Sequence, residues 1–208
     1  MDKKPGCMTD FERNVFVNCP FDNEYFPMLK TMLWVLVSVK LRPRLALERS
    51  NAGEGRLKKI RELIEESKYG IHDLSRLQSR QEDEYYRLNM PFELGIDYAC
   101  KIYSKQKGHA DKVLLALEGV KYSAQKALSD INFTDPKAHQ NKPQKLVVAL
   151  RSWLVENGFI IERSANGLWR DYNEFYAGLT FQLKELDWTE EDIEEMPIKE
   201  FVDYLMAD

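Results

Sequence analysis

The chain has 208 residues, of which 44% are hydrophobic and 31% charged, so its composition is that of a folded globular protein and excludes disordered and collagen-like chains. A chain of this length can bury a core without disulfide bonds, and it has room for one large domain or two small ones. The net charge of −4 argues against a protein whose main task is to grip nucleic acid backbone, and we expect no direct nucleic acid partner.

Strands and helices are predicted to alternate over the first 118 residues. Short apolar runs bounded by polar turns predict four strands, at residues 14–18, 44–48, 69–74 and 112–117. Apolar residues at helical spacing predict three helices between them, at residues 23–39, 56–67 and 92–103. This alternation is typical of an α/β fold in which a parallel sheet is flanked by helices.

Beyond residue 118 the pattern becomes helical. It predicts helices at residues 143–155 and 168–186, and then a short acidic helix pair that begins with a capping box at Thr189. Residues 187–208 hold nine acidic residues and one lysine. We therefore predict an α/β domain over residues 1–140 and a helical extension over residues 141–208 that packs on it.

The cysteines and the N-terminal segment favour a reducing compartment. Cys7, Cys19 and Cys100 are odd in number and lack the paired short spacing of zinc or redox sites. No apolar core of signal-peptide length follows the charged start, and the longest apolar stretch, around residues 32–39, is interrupted by Ser38. We expect a cytoplasmic protein that has no membrane partner.

Open parallel sheets bind ligands at the carboxyl ends of their strands, so residues at the ends of the predicted strands and just after them are candidates for a site. These are Asn18, Phe21 and Asp22 after the first strand, Arg56 at the start of the helix after the second, and His72 and Asp73 at the end of the third. Asn18 and Asp22 have the alternative of capping the following helix. A solvated side chain on a flexible loop is the alternative for Arg56.

The segment from Asn89 to Ala99 contains the main candidate. Glu93 falls in the first turn of a predicted helix, after a polar segment at residues 75–89 that predicts an exposed loop. Asp97 lies four residues on, so both carboxylates can share one side of the helix, and Asn89 opens the segment. An acid that is simply stabilised by the helix dipole is the alternative interpretation of Glu93.

No familiar metal or cofactor motif is present. The Walker loop, the dinucleotide glycine fingerprint and the nucleophile elbow are missing. His72, His109 and His139 are far apart in the sequence and follow no ligand pattern. We therefore expect no metal and no cofactor.

Three blocks, Asn14–Pro20, Gly70–Ser75 and Pro91–Ala99, resemble the ordered blocks of the nucleoside 2-deoxyribosyltransferase-like family, a flavodoxin-like group related in fold to Toll/interleukin-receptor (TIR) domains. The resemblance implies a flavodoxin-like parallel sheet, a glutamate nucleophile at Glu93 and an assisting aspartate at Asp73. It also implies an N-glycoside hydrolase that cleaves the base–sugar bond of a nucleotide or nucleoside, with NAD as the leading candidate substrate. Similar domains are nucleotide-degrading effectors, which implies a role in anti-phage defence.

Cleavage of the base–sugar bond depends on the charge of Glu93 and on whether the leaving base must be protonated. An ionised Glu93 would stabilise the positive charge that develops on the sugar, and a free glutamate is ionised at neutral pH unless burial raises its pKa. Nicotinamide leaves NAD without protonation, whereas adenine or a pyrimidine needs an acid, for which Asp73 and His72 are candidates.

The alternative function is a non-catalytic nucleotide sensor or TIR-like assembly module. We expect a homo-oligomer or a protein partner that gates activity.

Overall fold

The computed structural model describes residues 8–48, 51, 53–77, 88–129 and 135–207. The strands are β1 (Asn14–Asn18), β2 (Arg42–Arg44), β3 (Tyr69–Asp73), β4 (Val113–Glu118) and β5 (Lys137–Ala138). The helices are α1 (Asp10–Arg13), α2 (Phe26–Ser38), α3 (Arg56–Glu65), α4 (Asn89–Tyr103), α5 (Ser123–Ala127), α6 (Pro143–Glu156), α7 (Ala165–Glu185), α8 (Glu190–Glu194) and α9 (Ile198–Ala207). None of the helices in these ranges is both long enough and apolar enough to cross a bilayer.

The five strands form one sheet in the order β2-β1-β3-β4-β5. β1 pairs in parallel with both β2 and β3, and β3 pairs in parallel with β4. Every residue of β1 and β3 is buried, as is usual for the central strands of a parallel sheet. The strand order and the parallel pairing are those of flavodoxin-like proteins, which confirms the predicted α/β fold class.

One face of the sheet packs against α3 and α4. The register places Phe16 of β1 beside Gly70 of β3, and side-chain alternation puts both on the same face as Asn18 and His72. Phe16 packs against the buried side of α3. The apolar partners in this cluster are Ile60, Leu63, Ile64 and the partly buried Ile96 and Cys100. This packing fixes the position of α4 beside the end of β1.

The chain divides into two compact units. The first contains Met1–Pro20 and Lys40–Lys137, and the second contains Phe21–Val39 and Ala138–Asp208. The predicted boundary at residue 140 kept α2 with the sheet. The structure places α2 with α6, α7 and α9, against which it packs. Eight residues of α2 are buried, which is more than a single apolar stripe would supply.

The second strand was predicted at residues 44–48, and this prediction is wrong. β2 ends at Arg44, and a 3₁₀ turn follows at Ala46–Glu48. Arg44 Nε donates to Glu48 Oε1 at 2.8 Å, so an ion pair across four residues holds the turn. Pro43 lies inside the strand rather than before it, which is tolerated because β2 is an edge strand.

The other predicted elements are found within a few residues of their expected bounds. The capping box at Thr189 is confirmed, because the Thr189 side chain accepts from the backbone N–H of Asp192 and the Asp192 carboxylate accepts from that of Thr189. The loop predicted at residues 75–89 falls largely on residues 78–87, which lie outside the described ranges.

Candidate functional site

The strand order reverses between β1 and β3, which makes this position the switch point of the sheet. In flavodoxin-like folds this is where ligands bind, at the carboxyl ends of the strands. Asn18 ends β1 and Asp73 ends β3. The Asn18 side-chain amide donates to the carbonyl oxygen of Met90 at 2.9 Å, which ties the first turn of α4 to the end of β1. The start of α4 therefore lies at the switch point.

Glu93 lies on this part of α4 and is only 5% exposed. The helix begins at Asn89, three residues earlier than predicted, so Glu93 is its fifth residue rather than a first-turn acid. Burial raises the pKa of Glu93 to about 7, and the charge of Arg56 opposes this shift only in part. Burial therefore outweighs the charge of Arg56. Near neutral pH the carboxyl group is divided between its two protonation states.

Arg56 is the first residue of α3 and is exposed. The positive charge of Arg56 lowers the pKa of Glu93 in part, and α3 packs against α4. Two sequence-predicted residues thus lie on neighbouring helices. The pair combines a guanidinium able to meet a phosphate with a carboxyl group able to face a sugar.

A buried polar chain runs from β1 through β3 to α4. Asn18 Nδ2 lies 3.1 Å from His72 Nδ1, and His72 Nε2 lies 3.1 Å from Asp97 Oδ2. Because the Asn18 amide is a donor, Nδ1 must accept, so the proton is on Nε2 and is donated to Asp97. These two contacts together select one tautomer of His72. His72 and Asp97 are fully buried, so in this structure they support α4 rather than offer surface to a substrate.

Lys112 completes this chain, and sequence reasoning missed it. Its Nζ lies 3.1 Å from Asp97 Oδ1 and donates to the carbonyl oxygens of Ile64 and Ser67. The Lys112 side chain is fully buried. Because a buried carboxylate is costly unless it is paired with a positive charge, Lys112 supplies the charge that Asp97 needs. The signal in the sequence was a lysine directly before an apolar run, and we assigned this lysine to the strand.

Gly70 is a second residue whose role the sequence did not reveal. A Cβ atom added there would lie 2.2 Å from Asp97 Oδ2 and 2.9 Å from Leu114 Cδ2. Only glycine leaves room for the Asp97 carboxylate against the sheet. The signal was a glycine inside an apolar strand, which often marks close approach of another group.

Asp73, the predicted partner of Glu93, has a different setting. It follows His72 directly in β3, and alternation along the strand directs its side chain to the opposite face of the sheet. Asp73 Oδ1 accepts from the backbone N–H of Ser75 at 2.8 Å, so the carboxylate forms a turn as the chain leaves β3. The structure thus places Asp73 at the carboxyl edge but on the other side of the strand from His72.

The remaining candidates are dispersed. Phe21 and Asp22 are half-buried and belong to the second unit. Asp22 Oδ1 accepts from the Tyr25 backbone N–H at 3.0 Å, which closes a turn ahead of α2, and the N-cap residue of α2 is Tyr25 rather than Asp22. Asn89 opens α4 and is exposed.

Glu118 at the end of β4 is a further buried carboxylate that the sequence analysis did not single out. Its Oε1 accepts from the backbone N–H of Tyr122 at 2.6 Å, and its Oε2 accepts from that of Ala124 at 3.0 Å. Because these bonds hold the start of α5, we assign Glu118 a structural role.

In the part of the chain that the structure describes, no three His, Cys, Asp or Glu residues are grouped so as to hold a metal ion. Comparison with protein-family models, curated proteins and solved structures found no match to this chain. The resemblance to the nucleoside 2-deoxyribosyltransferase-like family therefore stays a prediction from the quoted motifs. What the structure itself contributes is one buried carboxyl group of raised pKa at the switch point of a flavodoxin-like sheet.

Proposed function

We propose that this protein hydrolyses the base–sugar bond of a nucleotide or nucleoside, with NAD as the leading candidate, and that Glu93 acts at the anomeric carbon. The observation that carries the proposal is the position of Glu93. It is a buried carboxyl group whose pKa the charge of Arg56 lowers in part, at the edge of the sheet where flavodoxin-like folds bind ligands. A carboxyl group whose pKa burial raises this far is typical of a functional group.

Breaking the bond between C1′ and the base nitrogen leaves the electron pair on the base and positive charge on the sugar. An ionised Glu93 about 4 Å from this charge would stabilise it by roughly 4 kcal/mol at an effective dielectric constant near 20. Water then adds to C1′ and loses a proton, either directly or after a covalent glycosyl–Glu93 intermediate. Because the pKa of Glu93 is about 7, its carboxylate form is available from neutral pH upward.

The leaving group that best fits the described residues is nicotinamide. A purine or pyrimidine must be protonated as it leaves, and His72 directs its only N–H at Asp97. Nicotinamide in NAD is already cationic and leaves as a neutral molecule, so it needs no acid. The exposed Arg56 at the start of α3 is available to a phosphate of the same dinucleotide.

A nucleotide sensor that binds without cleavage is the second candidate. It is favoured because His72 and Asp97 bond to each other and Lys112 contacts the second oxygen of Asp97. Of the two carboxyl groups on α4, this leaves Glu93 to contact a ligand. In that case the nucleotide would control assembly with a second copy or with a gating partner. Crosslinking with and without NAD tests this candidate, because oligomeric state should then depend on the nucleotide.

The test of hydrolysis is release of free base, measured by chromatography after incubation with NAD and with a panel of nucleosides. Glu93→Gln keeps the shape of the side chain and removes its negative charge. We expect base release by the wild type and a loss of about 100-fold or more in the variant. Glu185→Gln, at an exposed glutamate of α7, is the matched control and should retain full activity.

The outcomes separate the candidates. Absence of base release from every substrate, together with measurable nucleotide binding, would contradict hydrolysis and support the sensor. Base release that survives in Glu93→Gln would show that another group carries the reaction. The proposed role in anti-phage defence has its own measurement, the fall of cellular NAD when the wild type, but not Glu93→Gln, is expressed.

A further inference from the structure

The second unit contains a cavity of about 500 Å³, whereas Glu93 belongs to the first unit. The walls of the cavity come from α2, from α7 and from the segment around α8. A volume of this size accommodates a small organic molecule. The side chains that decide its chemistry are two aromatic rings, one lysine and three glutamates, namely Phe26, Tyr176, Lys30, Glu191, Glu194 and Glu195.

The three glutamates share one side of the segment around α8. Glu194 and Glu195 follow Glu191 by three and four residues, which is the spacing of neighbours on one face of a helix. Glu190, which is outside the lining, pairs with Lys184 at 2.8 Å instead. The cavity therefore has one acidic wall.

Lys30 places a positively charged nitrogen beside this wall. It is only 5% exposed, and its Nζ donates to the carbonyl oxygen of Ile193 at 3.3 Å. The same nitrogen lies 5.6 Å from the centre of the Tyr176 ring and 5.7 Å from that of the Phe201 ring, which are distances typical of a cation–π contact. Burial lowers the pKa of Lys30, and the negative charge of Glu194 opposes this effect. The ring faces and the carboxylate thus form surroundings in which an ammonium ion is stabilised.

One lysine does not balance the acidic wall. Three carboxylates and one ammonium group leave the lining with a net charge of −2. Within the described ranges, neither Glu191 nor Glu195 has an ion-pair partner, and both are exposed. An acidic wall next to aromatic rings attracts a cation and repels an anion. This preference is opposite to the one expected near Glu93, where Arg56 suits an anion.

We propose that the cavity binds a small organic cation in which an aromatic ring carries a planar, positively charged nitrogen group. The nitrogen group donates hydrogen bonds to Glu191 and Glu195, because a planar group with several N–H donors matches the geometry of carboxylates. The ring of the ligand packs against Phe26 and Tyr176, which are half-buried side chains of the lining. Binding here requires no hydrolysis at Glu93.

The test uses the full chain and three probes of one size that differ in charge, namely benzamidinium, benzamide and benzoate. Isothermal titration calorimetry at pH 7 and low ionic strength measures the three dissociation constants. We expect benzamidinium to bind about tenfold tighter than benzamide or more, because its charge strengthens the hydrogen bonds and adds a cation–π contact. Benzoate should bind most weakly. Benzamidinium that binds no tighter than benzamide, or does not bind, overturns the proposal.

Two double variants show whether binding occurs at the acidic wall. Glu191→Gln with Glu195→Gln removes two charges at exposed positions, so the core of the unit stays intact. The affinity for benzamidinium should fall about tenfold or more, whereas that for benzamide should not change. Glu162→Gln with Glu185→Gln makes the same change in net charge at exposed positions outside the lining and should bind like the wild type. Benzamidinium binding that both double variants weaken equally, or that neither weakens, overturns the proposal.

Discussion

His72 Nε2 lies 3.1 Å from Asp97 Oδ2, and both side chains are fully buried although 25 residues separate them in the chain. The pair connects the end of β3 to the middle of α4, one helical turn after Glu93. Lys112 contacts the other oxygen of Asp97 at 3.1 Å. Through these contacts a single carboxylate holds the helix that carries the proposed site.

Asp97→Ala is expected to destabilise the protein by about 3–5 kcal/mol, because it leaves the buried Lys112 without its counter-charge and His72 without its acceptor. Urea denaturation at pH 7 measures the change in the free energy of unfolding. The control is Asp203→Ala, which breaks an exposed pair with Lys199 and should cost less than about 1 kcal/mol. Equal effects of the two variants would contradict the assignment.

Gly70→Ala and Gly95→Ala should change stability in opposite directions. At Gly70 the new Cβ would lie 2.2 Å from Asp97 Oδ2, so we expect a loss of about 1–3 kcal/mol. At Gly95, inside α4, a Cβ meets nothing within 4 Å, and alanine should add about 0.5–1 kcal/mol through its helix propensity. Thermal unfolding of both variants provides the comparison. A harmless Gly70→Ala would mean that Asp97 does not approach the sheet so closely.

Glu93 should make stability depend on pH. Its pKa is about 7 in the folded protein against an ordinary value of 4.5, so between these values the folded state binds more protons than the unfolded state. The free energy of unfolding therefore falls as pH rises from about 4.5 to about 7, by roughly 2 kcal/mol after partial solvent screening.

Urea denaturation of Glu93→Gln at pH 5 and pH 8 checks this expectation. The variant should match the wild type near pH 5 and exceed its stability by roughly 2 kcal/mol at pH 8, because glutamine carries no charge to bury. Glu185→Gln should follow the wild type at both pH values, since Glu185 is exposed. A Glu93→Gln curve parallel to that of the wild type would contradict a raised pKa.

The pH dependence of base release should report the role of Glu93. If the carboxylate is the active form, kcat/KM for NAD rises with pH, about tenfold per unit below pH 7, and levels off above it. The same rate measurements across pH 5 to pH 9 check this expectation. A rate that falls as pH rises through 7 would instead indicate that protonated Glu93 acts as an acid.

The elements that depend on local pattern were predicted correctly from the sequence. An apolar run marked β1, which is buried on both faces, and helical spacing marked α3 and α6, because burial of one side of a helix leaves a period in the sequence. The second strand was misplaced, because Arg44–Glu48 looks like a short strand but is closed by an ion pair between its own ends.

Long-range packing decided the rest. Glu93 was recognisable as a candidate from its neighbours in the chain, but its pKa of about 7 depends on how much water α3 and α4 exclude together. Likewise, tertiary contacts bring together Asn18, His72, Asp97 and Lys112, which are distant in the chain. The same is true of α2 and the later helices with which it is grouped. Periodicity reports which side of an element is buried, whereas desolvation and charge pairing depend on which other elements bury it.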